Sequence, residues 1–212
     1  SDGRGFTLRH VLNFFDRPLF REALLNSLTA GGLAVVFGSL LGVPLAYFSV
    51  RYQFRGKLLI QTLGVLPLVI PPFVGAVALQ LILGRSGMVN LLLLRWIGTS
   101  IPFMEGLTGV ILVQTLHYFP FIMLNTAVSL ANIDPSLEEM AQNLGSHGWR
   151  LFRRITLPLM LPGYVAGCLL TFIRVIDDLG TPLMLNYTKL LAPQAYLRIT
   201  TIGIDDVDGY VV

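Results

Sequence analysis

Four stretches of this sequence contain no Asp, Glu, Lys or Arg: residues 23–50, 58–84, 106–133 and 155–173. A helix needs about 20 apolar residues to cross about 30 Å of hydrocarbon. Three of the stretches exceed that length, and the fourth lies just under it. Because a helix buried in a soluble domain seldom needs even one such stretch, the sequence predicts an integral membrane protein.

The composition supports the same class of protein. Hydrophobic residues make up 54% of the chain and charged residues 13%, whereas ordinary soluble domains carry about 25% charged residues. A secretory signal peptide does not explain the first stretch, because that stretch begins at residue 23, lacks a small-residue cleavage pattern and is followed by further apolar segments. We therefore expect an all-α, polytopic membrane fold.

The expected spans form a single transmembrane domain over residues 1–212. They lie at about residues 23–50, 58–84, 106–133 and 157–176, and a polar loop over residues 134–158 joins the last two. The half-apolar segment 85–105 is expected to connect the second and third spans, as a helix lying partly in the membrane interface.

Three prolines interrupt the second expected span: Pro67, Pro71 and Pro72. Each removes an amide donor and clashes with the preceding turn, so together they should break or kink the helix. Backbone groups freed inside lipid must be satisfied by protein or by water in a cavity, and broken membrane helices therefore tend to line transport pathways. A simple packing kink is the alternative, because proline is common in membrane helices.

Few side chains in the sequence suggest a disulfide, a metal site or a catalytic site. The single Cys168 excludes a disulfide framework, and His10, His117 and His147 are too far apart in sequence to indicate a local metal site. His117 lies within the third expected span, where an ionisable group is a functional candidate. The alternative is a neutral histidine that hydrogen-bonds to a neighbouring helix. No nucleophile or metal cluster for a membrane-embedded enzyme can be assembled from the spans.

The loop at 134–158 has the pattern of a short helix followed by a turn. Asp134 is a good N-cap, and Pro135 follows at the position where its missing donor costs nothing. Gly145 is placed to end the helix in a left-handed conformation. The apolar face between these signals consists of Leu137, Met140, Ala141 and Leu144. This face is predicted to meet either a partner outside the bilayer or the lipid headgroups.

A basic and aromatic segment leads from this helix back into the membrane. It contains Trp149 and Phe152 together with Arg150, Arg153 and Arg154. Such a combination is typical of a membrane interface, where aromatic rings and basic side chains meet the headgroups.

A spaced pattern covers Glu139, Met140, Ala141, Gly145, Ile155, Leu157 and Pro158. Three residues separate Ala141 from Gly145, nine separate Gly145 from Ile155, and one separates Ile155 from Leu157-Pro158. This spacing resembles at every position the "EAA" loop of binding-protein-dependent ABC importers, in which a cytoplasmic coupling helix seats in a groove of the ATP-hydrolysing subunit. The single departure is Met140, where the family usually has alanine. The resemblance implies that Gly145 allows the turn and that Glu139 and Ala141 contact the ATPase subunit.

The resemblance extends to the expected translocation pathway. The span with Pro67, Pro71 and Pro72 looks like the pathway-lining helix of the family. The segment from Asp177 to Tyr187 is similar to a segment of ferric iron permeases, with Asp178, Gly180 and Pro182 in matching positions, Thr181 in place of the usual Asn, and Asp177 without a counterpart. Paired carboxylates at this place would suit a cation or an amine and repel a free anion. They could equally cap a helix end.

This resemblance implies a multi-pass subunit of the bacterial inner membrane that imports a small solute, with ferric iron as the expected cargo. Aminoethylphosphonate, thiamine and polyamines are the alternatives within the family. The implied partners are ABC ATPase subunits, a second permease unit (identical, different or fused), an extracytoplasmic solute-binding protein and the lipid bilayer. No nucleic-acid partner is expected.

No phosphate-binding loop motif occurs in the sequence, so ATP and magnesium are expected on the partner ATPase, and this chain is expected to be neither an enzyme nor a binder of any cofactor. We also expect a partial chain that lacks a first and a last membrane helix of such permeases. An ion-driven secondary transporter or channel remains the alternative from a different class, since such a protein would need no coupling loop.

Charge gives a mixed indication of orientation. The two loops expected in the cytoplasm carry Arg51, Arg55, Lys57, Arg150, Arg153 and Arg154. The N-terminal lead-in, which would then lie outside, also carries four arginines, against the positive-inside tendency. The resemblance of the loop decides the expectation, which places residues 134–158 in the cytoplasm.

Overall fold

The computed structural model describes residues 18–202, and within this range the regular structure is entirely helical. The helices are α1 (Pro18–Arg51), α2 (Lys57–Val65), α3 (Pro72–Leu83), α4 (Met88–Ile97), α5 (Gly106–Ala131), α6 (Pro135–Asn143), α7 (Gly148–Leu151), α8 (Leu157–Asp177), α9 (Gly180–Met184) and α10 (Leu191–Ile202). A 3-10 turn at Leu66–Leu68 follows α2, and a π-helical turn at Phe152–Thr156 joins α7 to α8. The expected all-α fold is confirmed.

Four helical segments within residues 18–202 are long and apolar enough to cross a membrane. They are Pro18–Arg51, Pro72–Ile97, Gly106–Ala131 and Gly148–Asp177. The first, third and fourth match the spans expected from the sequence, and the second shares residues 72–84 with the span expected at 58–84. Most of the N-terminal lead-in and the acidic end of the chain lie outside the described residues.

The span expected at 58–84 is not one continuous helix. α2 ends at Val65, a 3-10 turn containing Pro67 follows, and α3 begins at Pro72. The interruption falls where the prolines remove backbone donors and crowd the preceding turn, which is the reason for the break. The segment that is long enough to cross a membrane here begins at Pro72 and includes α4.

The chain divides into two compact units. Of the described residues, one unit comprises 18–31, Pro72–Val113 and 175–202. The other comprises Gly32–Pro71 and Gln114–Arg174. We call them the first and the second unit.

Close helix packing in the second unit depends on two Gly-x-x-x-Gly pairs that approach α5. Gly38 and Gly42 lie on α1, and Gly163 and Gly167 lie on α8. A Cβ atom added at Gly42 would lie 3.0 Å from the Met123 amide nitrogen, and one added at Gly167 would lie 2.8 Å from Ile122 Cα. Small residues at this spacing let membrane helices approach closely, and the sequence analysis overlooked both pairs.

The core of the second unit is formed where α1, α5 and α8 meet. Its buried members are Ala46, Phe119, Met123, Leu130, Ile133 and Met160. Leu157, at the start of α8, packs against this cluster. The position of α8 against α5 is thus fixed by apolar contacts at its start as well as by its glycine pair.

In the first unit, the Asn90 side chain holds together the segment 85–105, which was expected to connect the second and third spans. This side chain is buried and donates to the carbonyl oxygens of Gly84 and Ile101, each at 2.9 Å. Its Oδ1 atom accepts from the Ile101 amide, also at 2.9 Å. Through these hydrogen bonds Asn90 joins residue 84, before α4, to residue 101, after it.

Candidate coupling site

The helix predicted after Asp134 is present as α6, and its start is capped as expected. The Asp134 Oδ1 atom accepts a hydrogen bond from the Ser136 amide at 2.9 Å, and Pro135 occupies the first helical position. This backbone hydrogen bond holds the pKa of Asp134 below its usual range. The Asp-Pro pair therefore fixes where α6 begins.

Gly145 ends α6 with the left-handed turn that the sequence predicts. Its φ angle is +84°, and a Cβ atom added there would meet nothing within 4 Å. The amide of Ser146 donates to the carbonyl of Ala141, and the amide of Gly145 donates to that of Gln142, both at 2.9 Å. These two bonds form a Schellman cap, so glycine is needed here for its backbone conformation and not for space.

The outer face of α6 is apolar and exposed. Leu137 and Met140 are exposed on it, and Leu144, just beyond the last turn, is 88% exposed. We call these three side chains the α6 ridge. Glu139 is also exposed, which leaves it accessible to a partner.

Ala141 departs from the expectation of a direct contact with a partner. It is only 8% exposed, because it faces the chain's own interior. A small side chain at this position allows α6 to pack closely, so the value of alanine here lies in packing and not in exposed surface.

Glu138, which the sequence analysis did not select, ties α6 to two other helical segments. Its Oε1 atom accepts hydrogen bonds from Arg51 Nη2 at 2.5 Å and from Thr156 Oγ1 at 2.8 Å. The Arg51 and Glu138 side chains are 21% and 15% exposed. Arg51 is the last residue of α1, and Thr156 directly precedes α8. One carboxylate therefore links α6 to the last residue of α1 and to the residue before α8, which both lie within candidate membrane spans.

The remaining positions of the loop pattern lie around the start of α8, within the second unit. Ile155 and Leu157 are half-buried around the junction of the π-helical turn with α8, and Pro158 is exposed in the first turn of α8. Proline is tolerated at that place because the amide it lacks has no partner within the helix.

Three residues expected to line the pathway, Asp177, Asp178 and Gly180, lie between the end of α8 and the start of α9. The Asp178 carboxylate is buried, and its Oδ1 atom accepts from the Thr181 amide at 3.2 Å, which caps the start of α9. Asp177 is exposed as the last residue of α8. A Cβ atom at Gly180 would lie 3.5 Å from Phe73 Cβ, so α9 approaches the start of α3 beside Pro72. Capping, the alternative left open by the sequence, describes Asp178.

Buried threonine hydroxyls are the other feature that the sequence analysis missed, and they accompany His117, which it had singled out in the third expected span. Within residues 18–202, the hydroxyl oxygens of Thr115, Thr126 and Thr181 are buried without a hydrogen-bond partner. His117 is also buried and meets the Tyr118 ring edge-on, with 4.8 Å between ring centroids. Threonine is too common in membrane helices for such positions to stand out in a sequence.

A family model described as "binding-protein-dependent transport system inner membrane component" matches residues 34–201. A probable molybdenum ABC transporter permease of Haloferax volcanii is 37% identical over 184 residues, which are 86% of this chain and 66% of that protein. The molybdenum transport system permease ModB of Escherichia coli K12 is 36% identical over 187 residues, or 86% of this chain and 81% of ModB. A ferric transport system permease of Actinobacillus pleuropneumoniae is 28% identical over 96% of this chain and 30% of its own length.

Solved structures share the fold. A bacterial ABC transporter that imports the acidic polysaccharide alginate superposes with a TM-score of 0.74 at 23% identity, over 99% of this chain and 78% of that one. The inward-facing MetNI methionine ABC transporter superposes with a TM-score of 0.66 at 20% identity, over 91% and 85%.

Proposed function

The chain belongs to the family of binding-protein-dependent transport system inner membrane components, and we propose that it forms the membrane pathway of an ATP-driven importer for a molybdenum oxyanion. The observation that carries the proposal is the α6 ridge, an exposed apolar surface on a short helix whose start and end are both capped. A surface of this kind suits a groove on a separate ATPase subunit. ATP and magnesium are held by that subunit.

The contacts of α6 define the route by which movement of the ATPase subunit reaches the membrane helices. A displacement of α6 reaches the end of α1 through Arg51 and the start of α8 through Thr156, because both side chains bind the Glu138 carboxylate. The Gly145 turn connects α6 to α7 and so to the π-helical turn before α8. In this proposal α6 is the element that couples ATP hydrolysis to movement of the membrane helices.

The relatives favour molybdenum over ferric iron as the cargo. The molybdenum permeases are 36–37% identical to this chain, whereas the ferric permease is 28% identical. The argument for a cation came from Asp177 and Asp178, and Asp178 serves as the cap of α9. Molybdenum in neutral water is a tetrahedral dianion, so a structural role for Asp178 agrees better with this cargo than a role in lining the pathway.

The proposed assembly has further subunits. A second permease unit completes the pathway, and a solute-binding protein delivers the oxyanion from the outer side of the inner membrane. The loop at 134–158 then faces the cytoplasm. Support comes from the family match, since its description names both a binding protein and the inner membrane.

The proposal is tested by purifying the tagged chain with its genomic neighbours and measuring uptake in proteoliposomes. We expect an ATPase subunit to co-purify, and ATP-dependent uptake of molybdate in the presence of the binding protein. A Leu144→Glu variant, which places a charge on the α6 ridge, should lose the ATPase subunit from the complex. Uptake without any ATPase subunit would instead indicate an ion-driven transporter, and uptake of iron but not molybdate would overturn the cargo.

A further inference from the structure

An open cavity of about 390 Å³ lies in the second unit between the end of α1 and the start of α7. Its lining includes Val43, Pro44, Tyr47 and Phe48 of α1 together with Trp149 and Phe152. The Phe152 ring meets Tyr47 edge-on at 5.6 Å and stacks on Trp149 at 5.3 Å between centroids. We call this apolar, mainly aromatic cavity the α1–α7 groove.

Two aromatic side chains of the groove expose much of their apolar surface, which is unfavourable in water. Trp149 is 73% exposed and Phe48 is 54% exposed. Apolar surface is stabilised by about 25 cal/mol for each Å² removed from water, so these rings favour an apolar occupant.

Unneutralised positive charge lies beside the groove. Arg150, Arg153 and Arg154 are exposed, and none of them forms an ion pair within residues 18–202. They adjoin Trp149 and Phe152 in the chain. Arg51, by contrast, is engaged by Glu138. Arg150 directly follows the lining residue Trp149, and Arg153 directly follows Phe152, so basic side chains start one residue from the apolar lining. This combination is complementary to an anionic amphiphile.

The position of the groove along the helices identifies the amphiphile. One candidate membrane span ends at Arg51 and another begins at Gly148, so the groove lies where two spans reach the headgroup level. We propose that the α1–α7 groove binds an anionic phospholipid, with an acyl chain against Tyr47, Trp149 and Phe152 and the headgroup phosphate beside the arginines. A soluble protein partner fits less well, because the α1 side of the lining extends from Phe48 to Val43, about two helical turns inside the span that ends at Arg51.

The test uses the two tryptophans of the chain, Trp96 and Trp149. In a Trp96→Phe background Trp149 is the only tryptophan, and its fluorescence is measured in vesicles containing phospholipids brominated near the top of one acyl chain. We expect brominated phosphatidylglycerol to quench Trp149 more strongly than brominated phosphatidylcholine at equal mole fraction. Replacing Arg150, Arg153 and Arg154 by glutamine should reduce this preference about fivefold for each arginine removed.

A matched pair elsewhere in the chain supplies the control. Arg95 and Trp96 are also adjacent and exposed, Trp96 at 83%, but they lie on α4 in the first unit. With Trp149→Phe, the remaining Trp96 should show no preference between the two lipids, and Arg95→Gln should leave the preference of Trp149 unchanged. Single arginine variants provide a graded readout if the triple variant inserts poorly.

Three results would overturn the proposal. Equal quenching of Trp149 by both lipids would mean that the arginines do not select a headgroup. An absence of quenching by either lipid would place Trp149 outside the bilayer. Quenching that disappears when an ATPase subunit is added would assign the groove to that protein. None of these results depends on the identity of the cargo, so the proposed transport function is tested separately.

Discussion

At the scale of single residues, the ion pairs of Glu138 and Lys189 illustrate how burial decides what an ion pair contributes to the free energy of unfolding. The Glu138 carboxylate is mostly enclosed and binds both Arg51 and Thr156, whereas Lys189 and Glu22 form a pair whose side chains are 54% and 47% exposed. Exposed pairs are screened by water and salt, and contribute about 0–1 kcal/mol. Removing one partner of a partly buried carboxylate that binds two donors lowers the stability of the folded protein by more.

We predict that a double-mutant cycle separates the two pairs. Glu138→Gln with Arg51→Met should give a coupling energy of about 1–3 kcal/mol in thermal or denaturant unfolding. The matched control, Glu22→Gln with Lys189→Met, should give less than about 1 kcal/mol. In the reconstituted transporter, Glu138→Gln should also raise the ATP hydrolysed per molybdate imported, while Glu22→Gln should not. Equal coupling energies would contradict the proposed role of Glu138.

At the scale of elements, α6 depends on signals at its two ends. Asp134 caps the start, and Gly145 provides the left-handed turn at the end. Nine helical residues are too few to form a stable helix alone, so these caps and the Glu138 contacts together hold α6 in place.

We predict that Gly145→Ala costs about 1–2 kcal/mol, because an alanine must adopt φ near +84° although no neighbouring atom blocks it. Gly32→Ala is the matched control, since Gly32 also has open space around it but lies inside α1 with ordinary helical geometry. That change should be neutral or stabilise by up to about 1 kcal/mol. Gly145→Val should further lower transport per ATP hydrolysed while the protein still inserts. Unchanged coupling in Gly145→Val would remove α6 from the transmission route.

At the scale of the whole molecule, the orientation of the chain decides whether an ATPase can reach α6. The positive charges of the sequence lie on both sides of the expected spans, so they do not fix this orientation alone. The proposed function requires α6 and the segment 98–105 to lie on opposite sides of the membrane, because one candidate span, Gly106–Ala131, separates them.

Cysteine labelling tests this arrangement. Cys168 is the single cysteine, so Cys168→Ala provides a background in which one new thiol is added at a time. Thr99→Cys and Gln142→Cys are both exposed sites. A membrane-impermeant maleimide should label Thr99→Cys in intact spheroplasts and Gln142→Cys only after the membrane is opened. The reverse pattern would place α6 outside the cell and exclude the proposed contact with an ATPase.

The sequence by itself determined the membrane character of the chain, the bounds of α6 and the break before Pro72. Each of these depends on local properties: the length of an uncharged run, a cap two residues from the amide it binds, and a ring that removes a donor. The sequence left Asp178 open between a cap and a pathway residue, and the structure adds its hydrogen bond from the Thr181 amide, a local contact three residues along the chain.

Tertiary structure alone decided which distant groups meet. Arg51 and Thr156 reach Glu138 from positions 87 and 18 residues away. Ala141 is buried, and the glycine pairs Gly38/Gly42 of α1 and Gly163/Gly167 of α8 face α5. Helical periodicity shows which residues share a face, but the neighbour of that face is chosen by the packing of all the helices together. The physical reason is that hydrogen bonds within a turn are specified by a few adjacent residues, whereas contacts between helices depend on the whole arrangement.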